Sequence, residues 1–182
     1  HTLSFLGHNL TVAGILPLSD KVEAIRECPL PNTIKSLRRF AGMVNFYHRF
    51  VPHAAHITAP MNELLAGQRQ PKNAPVKWTE DGEKSFHEIK EALAAATMLY
   101  HPLRDAPTAL AVDASDRAIG GTLMQHINGW KPLGFYSRKL NNQERKYSTF
   151  GRELLAAYLC TKNFRYFLES TEFTLFTDHK PL

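Results

Sequence analysis

Residues 108–136, TALAVDASDRAIGGTLMQHINGWKPLGFY, decide the fold class of this chain. The stretch contains three apolar segments of strand length, at residues 108–112, 121–125 and 131–136. Turn-forming residues separate these segments, and Asn128-Gly129 is a strong β-hairpin signal. A helical pattern over residues 143–167 and a further strand over residues 172–177 follow. Strands, a helix and a strand in this order predict a mixed sheet with a helix packed on it.

The residues before this sheet are mainly helical by pattern. They predict a β-hairpin over residues 3–16 and helices over residues 21–27, 34–51, 54–66 and 79–96. Pro60 should break or kink the third of these helices, and residues 67–76 are a polar, proline-containing linker. The predicted fold class is therefore α+β, with a helical region followed by a mixed sheet.

Length and composition exclude several classes of protein. The chain has 182 residues, of which 43% are apolar, enough for a sizeable core in one or two domains. No segment approaches the roughly 20 uninterrupted apolar residues of a membrane span, so we expect no membrane partner. Cys28 and Cys160 are too few for a disulfide framework and fit no metal-binding spacing, which favours a reducing compartment.

Basic and acidic residues are unevenly distributed along the chain. The net charge is +5, with +5 in residues 1–78, −5 in residues 79–116 and +6 in residues 131–165. Clustered Lys and Arg neutralise phosphates and release counterions. A nucleic-acid partner is therefore one interpretation of this distribution, and an ordinary solvated surface is the other.

One carboxylate interrupts an apolar helix face. In the helical pattern over residues 143–167, the positions Phe150, Glu153, Ala157, Cys160, Phe164 and Phe167 repeat at a spacing of three and four. A charge on a face that packs against a sheet is costly unless it is paired or bound to a cation. Glu153 therefore forms a salt bridge with Arg152 or a nearby Lys, lies at the rim of the face, or binds a cation.

Two further carboxylates lie at strand ends. Asp113 closes the strand over residues 108–112, and Asp178 closes the strand over residues 172–177. If the two strand ends meet the helix face, these carboxylates and that of Glu153 lie within about 8 Å of one another and can share a pair of ions. Convergent carboxylates repel one another unless divalent cations hold them, and such hard oxygen ligands select Mg²⁺ or Mn²⁺.

Other candidate ligands have simpler interpretations. His53 and His56 are three residues apart with His48 nearby, but without carboxylate or Cys neighbours they favour surface or packing roles. Asp116 is expected to cap the turn after the first strand of the sheet. The acidic residues between Glu80 and Glu91 indicate a solvated helix face.

A basic stripe follows the polar side of the helix predicted over residues 34–51. It consists of Lys35, Arg38, Gly42, Asn45 and Arg49, again at a spacing of three and four. The four side chains can donate to phosphates, and Gly42 removes the side chain that would hold a phosphate backbone away. A solvated face opposite the core is the alternative interpretation.

Several motifs resemble, in order and spacing, the ribonuclease H (RNase H) domain of gypsy-type LTR retrotransposon reverse transcriptases. They are VDASD (112–116), GGTLMQ (120–125), SRKL (137–140), YST (147–149), RELLA (152–156) and TDHKPL (177–182). Upstream motifs resemble the palm end, thumb and connection of the same enzymes: FLGH (5–8), GILP (14–17), LRRFAGMVNFYHRFVP (37–52), NELL (62–65) and VKWT (76–79). Phe150-Gly151 departs from the family, which usually has more polar residues there.

The resemblance implies an activity and roles for the three carboxylates. Asp113, Glu153 and Asp178 match the first three metal ligands of the RNase H site. Asp113 would bridge two Mg²⁺ or Mn²⁺ ions, Glu153 would hold one ion and orient the attacking water, and Asp178 would bind the other ion. The expected reaction of the intact domain is hydrolysis of the RNA strand of an RNA–DNA hybrid, recognised by backbone shape and 2′-OH groups.

The resemblance also predicts how the chain is organised. Residues 1–31 would be the end of the palm, 32–66 the thumb, 67–104 a linker and connection helix, and 105–182 an RNase H-like domain. In that family a polymerase Asp pair lies upstream of the first motif, and a further acidic ligand with a nearby His lies downstream of TDHKPL. We therefore expect a fragment of a pol polyprotein with an incomplete RNase H-like sheet and low activity of its own.

The expected partners are an RNA–DNA hybrid, the template–primer duplex and the rest of the pol polyprotein. That remainder would comprise the palm and fingers upstream, and the rest of the RNase H domain and integrase downstream. The expected location is intracellular, in the cytoplasm, a virus-like particle or the nucleus. A different class of function remains open from the sequence. The chain could be a non-catalytic nucleic-acid-binding or interaction module from a decayed or host-adopted element.

Overall fold

A computed structural model describes residues 2–66 and 71–178 as two four-stranded sheets with helices packed on them. The described part of the chain confirms the predicted α+β class. No helix within it is long and apolar enough to cross a membrane. Residues 67–70 of the predicted linker and residues 179–182 of the last motif lie outside the described residues.

The first sheet is small and antiparallel. Its strands, in spatial order, are β1 (Leu3–Phe5), β2 (His8–Leu10), β3 (Gly14–Pro17) and β4 (Leu99–Tyr100). The prediction of a single hairpin over residues 3–16 was wrong, because the chain turns twice. The additional turn is formed by Leu6 and Gly7, whose φ values of 45° and 80° suit a two-residue hairpin loop.

Four helices follow or flank this sheet: α1 (Ser19–Arg26), α2 (Ile34–Tyr47), α3 (Ala54–Glu63) and α4 (Glu80–Ala94). The side chain of Thr33 accepts a hydrogen bond from the amide of Ser36 and caps α2. A short 3₁₀ turn, His48–Phe50, continues α2 to the predicted end of the helix. Pro60 lies inside α3 without breaking it.

The helices surround the first of two hydrophobic cores. Its fully buried side chains include Leu37 and Phe40 from α2 and Phe86, Ile89 and Leu93 from α4. Phe40 and Phe86 are in ring contact, with centroids 4.5 Å apart. One face of α2 is thus a core face, which leaves its opposite side available to ligands.

The second sheet has the strand order β7-β6-β5-β8. Its strands are β5 (Thr108–Ala114), β6 (Ala118–His126), β7 (Trp130–Lys139) and β8 (Phe173–Phe176). Neighbouring strands are antiparallel except for β5 and β8, which are parallel. The sheet is therefore mixed, as predicted, and the first three strands are longer than the apolar segments that indicated them.

One face of this sheet is covered by α5 (Thr149–Asn163), which the short helix α6 (Arg165–Leu168) follows. The predicted start of this helix near residue 143 was wrong. A separate 3₁₀ turn, Glu144–Lys146, comes first, and Tyr147 is extended with a ψ of 149°. Ser148 then caps α5 by accepting a hydrogen bond from the amide of Gly151.

The helical region packs directly on the second sheet. The beginning of α3 lies against β6 and β7, where the amide of Ala55 donates to Oγ of Ser137 at 2.8 Å. Nearby, Nζ of Lys139 pairs with a carboxylate oxygen of Glu63 at 3.1 Å. This junction brings residues from two distant parts of the sequence to one edge of the sheet.

Candidate active site

The three predicted carboxylates converge at one end of the second sheet. Asp113 lies near the end of β5, Asp178 follows β8 by two residues, and Glu153 comes from α5. Each offers one ligand oxygen, and these oxygens lie within 4.8 Å of one another. Because β5 and β8 are parallel neighbours, their carboxyl ends place both Asp residues at the same edge. The expected separation below about 8 Å is confirmed.

Glu153 is the buried member of the cluster, with only 2% of its surface exposed. The amide N–H of Ala114 donates to its Oε1 at 3.0 Å, and the hydroxyl of Thr177 donates to its Oε2 at 3.4 Å. Among the described residues no Lys or Arg forms an ion pair with this carboxylate. The salt-bridge and rim interpretations of Glu153 were therefore wrong.

Burial raises the pKa of Glu153, since it penalises the charged form. The hydrogen bond from Ala114 opposes this effect, while the negative charges of Asp178 and Asp113 raise the pKa further. Asp113 and Asp178 themselves are exposed. A buried carboxylate beside two like charges is the arrangement that a bound divalent cation stabilises, and three carboxylate oxygens at this spacing fit Mg²⁺ or Mn²⁺.

A cleft of about 280 Å³ adjoins the site on the side of the helical region. Asp113, Ser137, His53 and His56 line part of it, and both histidines are exposed. The sequence favoured surface roles for these histidines because no carboxylate lay near them in the chain. The structure provides that carboxylate through the packing of α3 on the sheet, which no local pattern could reveal.

His48 has the packing role that was expected. It is the first residue of the 3₁₀ turn and is half-buried against β7. Burial lowers its pKa, an effect that a hydrogen bond to the backbone of Ser137 opposes. The expected role of Asp116 was wrong. Ser115 caps that turn, since its Oγ accepts hydrogen bonds from the amides of Arg117 and Ala118, whereas Asp116 is exposed and 3.9 Å from Arg117.

The basic stripe is fully exposed along α2 and the following 3₁₀ turn. All of its members, Lys35, Arg38, Gly42, Asn45 and Arg49, are solvent-accessible. A Cβ built at Gly42 would meet no atom within 4 Å, so packing within the chain does not require glycine there. The stripe is therefore an open surface with room for a ligand at its centre.

The structure adds basic residues that the sequence did not single out. Arg138 and Lys139 on β7 line a second cleft together with Asn45 of the stripe. Ser137 lines this cleft as well as the one beside Asp113, so the two are adjacent. The SRKL motif contains these residues, but their position between the stripe and the carboxylates depends on the tertiary fold.

Comparison with protein families gives one match. Residues 78–175 match the family described as the RNase H-like domain found in reverse transcriptase. Among curated proteins, the Pol polyprotein from transposon 412 of Drosophila melanogaster is 34% identical over 183 residues, which are 100% of this chain and 14% of that protein. The Tf2-3 transposon polyprotein of Schizosaccharomyces pombe is 32% identical over 184 residues, 99% of this chain and 13% of that protein. The chain thus spans about one-seventh of the length of these relatives.

Solved structures with the same fold come from foamy viral protease-reverse transcriptase. The complex with an RNA/DNA hybrid superposes with a TM-score of 0.83 at 23% identity, covering 98% of this chain and 24% of that chain. The complex with double-stranded DNA gives a TM-score of 0.82 at 23% identity, covering 99% of this chain and 37% of that chain. At this identity the superposition shows that the fold is shared.

Proposed function

Because the chain belongs to the family of RNase H-like domains found in reverse transcriptase, we propose that its carboxylate site cleaves the RNA strand of an RNA–DNA hybrid. The chain would act as part of an intracellular retroelement Pol polyprotein. The observation that carries the proposal is the convergence of Asp113, Glu153 and Asp178 within 4.8 Å. A cluster held together only for stability would leave this repulsion uncompensated, since no cationic side chain of the described residues pairs with it.

The three carboxylates would hold two divalent cations, Mg²⁺ or Mn²⁺. When bound, such a pair supplies an activated water and neutralises the leaving oxygen of a phosphodiester. Glu153 is fixed by its hydrogen bonds to Ala114 and Thr177, so its oxygens keep a constant direction towards the strand ends. Asp113 and Asp178 are exposed and can therefore face a polymeric substrate.

The basic stripe would hold the duplex that carries the scissile strand. Its residues Lys35, Arg38, Asn45 and Arg49 provide phosphate contacts, which give position rather than sequence specificity. Lys139, which pairs with Glu63, lies in the cleft beside Asn45 and would extend this surface towards Ser137, whereas the Arg138 guanidinium pairs with Glu144. The same surface would bind a template–primer duplex, and the fold is shared with foamy viral enzymes solved with a hybrid and with double-stranded DNA.

Substitution of Asp113 tests the proposed cleavage. We expect the chain, joined to its downstream pol sequence, to cut the RNA of a labelled hybrid with Mg²⁺ or Mn²⁺, and Asp113→Asn to abolish the cut. The amide keeps the shape of the side chain and removes its charge, so hybrid binding without cleavage should persist. Asp116→Asn is the matched control, because Asp116 is exposed outside the cluster.

Two results would overturn the proposal. Retained, metal-dependent cleavage in Asp113→Asn would place the catalytic centre elsewhere. Tight hybrid binding by the wild-type protein without cleavage under any divalent metal would instead favour a non-catalytic nucleic-acid-binding module.

A further inference from the structure

A row of three residues crosses the second sheet beside the carboxylate site. Gly120 on β6 is the register partner of both Asp113 on β5 and Ser137 on β7. Since register partners project from the same face of a sheet, these three positions share one side. Leu110 and Val112 pack with α5 on the other side, so the row faces away from α5.

The beginning of α3 covers this row. The amide of Ala55 donates to Oγ of Ser137 at 2.8 Å, which fixes α3 over one end of the row. A Cβ built at Gly120 would lie 3.3 Å from Nδ1 of His53, so the imidazole lies directly over the middle of the row. Only Asp113, at the other end, remains uncovered and exposed. Glycine at position 120 thus leaves the space that brings His53 next to Asp113.

His53 adopts an uncommon backbone conformation at this point. Its φ of 53° is in the left-handed region, which non-glycine residues rarely occupy. Its carbonyl accepts hydrogen bonds from the amides of His56 and Ile57, at 2.9 and 3.2 Å, so the first turn of α3 holds the conformation. Such strain is concentrated at ligand-binding and catalytic sites, where it fixes the direction of a side chain.

The two histidines, which we call the histidine wall, line the same cleft as Asp113. Among the described residues that line the cleft, Asp113 is the only acidic one. In the part of the chain that the structure describes, Asp113, Glu153 and Asp178 form the only cluster of three ligating side chains. Neither histidine belongs to this cluster, so within the described residues their ring N–H groups are free to donate to another acceptor.

We propose that His53 and His56 bind phosphate oxygens of the strand that enters the carboxylate site, and so position that strand for cleavage. The identity of the strand as RNA rests on the function proposed above. The three acids repel a phosphate backbone, whereas an imidazole N–H donates to it, so the histidine wall supplies the attraction that the acidic wall lacks. The contact would be to the backbone, a few nucleotides or fewer from the cut, and would not depend on base sequence.

The test combines a histidine variant with neutralised phosphates. The variant is His53→Gly with His56→Ala, because glycine tolerates the left-handed backbone at position 53 and keeps α3 in place. Binding is measured in Ca²⁺, with RNA–DNA hybrids whose RNA strand carries a single uncharged methylphosphonate at successive positions. We expect the variant to bind the unmodified hybrid about fivefold more weakly for each histidine removed. A methylphosphonate at one or two positions should weaken wild-type binding and have no further effect on the variant.

Two controls make the result specific. His87→Ala removes an exposed histidine on α4, away from the cleft, and should leave binding unchanged. His53→Asn with His56→Gln keeps hydrogen-bond donors and should recover part of the lost affinity, which a purely structural role would not predict. In the cleavage assay the His53→Gly, His56→Ala variant should have a higher KM and a smaller change in kcat. It should also cleave the RNA at a wider range of positions.

The outcomes separate this inference from the proposed function. Equal sensitivity of variant and wild type to every methylphosphonate would overturn the role of the histidines, even if Asp113→Asn abolishes cleavage. Loss of that sensitivity in the variant supports the phosphate contact, even if the wild-type protein cuts no RNA. A cooperative unfolding transition at the wild-type midpoint is required of the variant in either case.

Discussion

Replacing Glu153 by glutamine should stabilise the protein in the absence of divalent cations. The amide keeps the shape of the side chain, its oxygen can still accept from the amide of Ala114, and its NH₂ group can meet the Thr177 hydroxyl. The substitution therefore removes a negative charge without leaving a buried hydrogen-bonding group unpaired. What it eliminates is the repulsion from Asp113 and Asp178 and the cost of burying the charge.

The size of the effect follows from the spacing of the three acids. Two unit charges 4.8 Å apart repel by about 1 kcal/mol in water and about 3.5 kcal/mol at an effective dielectric constant of about 20. Asp113 and Asp178 are exposed, so solvent screening places each interaction near the lower value. We expect Glu153→Gln to raise the free energy of unfolding by about 1 to 2 kcal/mol at pH 8, measured by urea titration in EDTA.

The increase in the free energy of unfolding caused by Glu153→Gln should grow as the pH rises. The pKa of Glu153 is raised in the folded protein, mainly by burial, so the folded state holds its proton to higher pH than the unfolded state does. The contribution of Glu153 to wild-type stability is therefore most favourable below the ordinary Glu pKa and falls as the pH rises through the raised value. The glutamine variant lacks this fall, so the two proteins should have equal stability near pH 4 and diverge above it.

With bound Mg²⁺ the wild-type protein should become more stable than the Glu153→Gln variant. Mg²⁺ at a hundred times its Kd adds about 2.7 kcal/mol to the wild-type protein, because it binds the folded state, and this exceeds the advantage of the variant. The variant has lost one of three carboxylate ligands and should gain little. A Glu153→Gln variant that is less stable than the wild type at pH 8 in EDTA would refute the reasoning, because it would mean that a cationic group already compensates the buried carboxylate.

Three further predictions concern glycines and the basic stripe. Gly42→Ala should raise the free energy of unfolding by about 1 kcal/mol, since alanine favours a helix. The same substitution should weaken hybrid binding, because the added methyl group would hold the phosphate backbone away. Unchanged affinity would show that no phosphate backbone approaches Gly42. Neutralising Arg38 and Arg49 together should lower the slope of log affinity against log salt by about one to two, and an unchanged slope would assign them to solvation. Gly121→Ala should destabilise by about 1 to 3 kcal/mol in urea titration, because its Cβ would lie 2.6 Å from Sγ of Cys160; wild-type stability would contradict this packing.

The carboxylate cluster could be predicted because each of its members is a charged residue within or next to an apolar segment. Glu153 is a charge in an apolar helix face, and Asp113 and Asp178 end apolar strands. Parallel pairing of the two strands then brings their ends together. The resemblance to retrotransposon reverse transcriptases, given by short motifs in order, is confirmed by the family match. The division of the chain into palm, thumb, connection and RNase H-like segments stays a prediction.

The failures of prediction have local and non-local causes. Leu6-Gly7 was missed as a turn because leucine rarely adopts a positive φ, and here the following glycine and the pairing of β1 with β2 impose it. The early start predicted for α5 came from treating residues 143–148 as helical, whereas Ser148 is a better N-cap. The histidine wall depends on α3 meeting β6 and β7, a contact between residues 82 positions apart at Ala55 and Ser137.

The adjacent glycines of the GGTLMQ motif allow close packing on both faces of the sheet beside the candidate site. Successive residues of a strand face opposite sides of the sheet, so Gly120 and Gly121 serve different neighbours. Gly121 lets Cys160 of α5 approach β6 closely, and α5 carries Glu153 to the strand ends. Gly120 lets His53 approach the other side. A larger residue at 121 would displace α5 and with it Glu153, whereas a larger residue at 120 would displace His53. The pair would therefore couple the proposed metal-binding and strand-positioning groups through one point of the sheet.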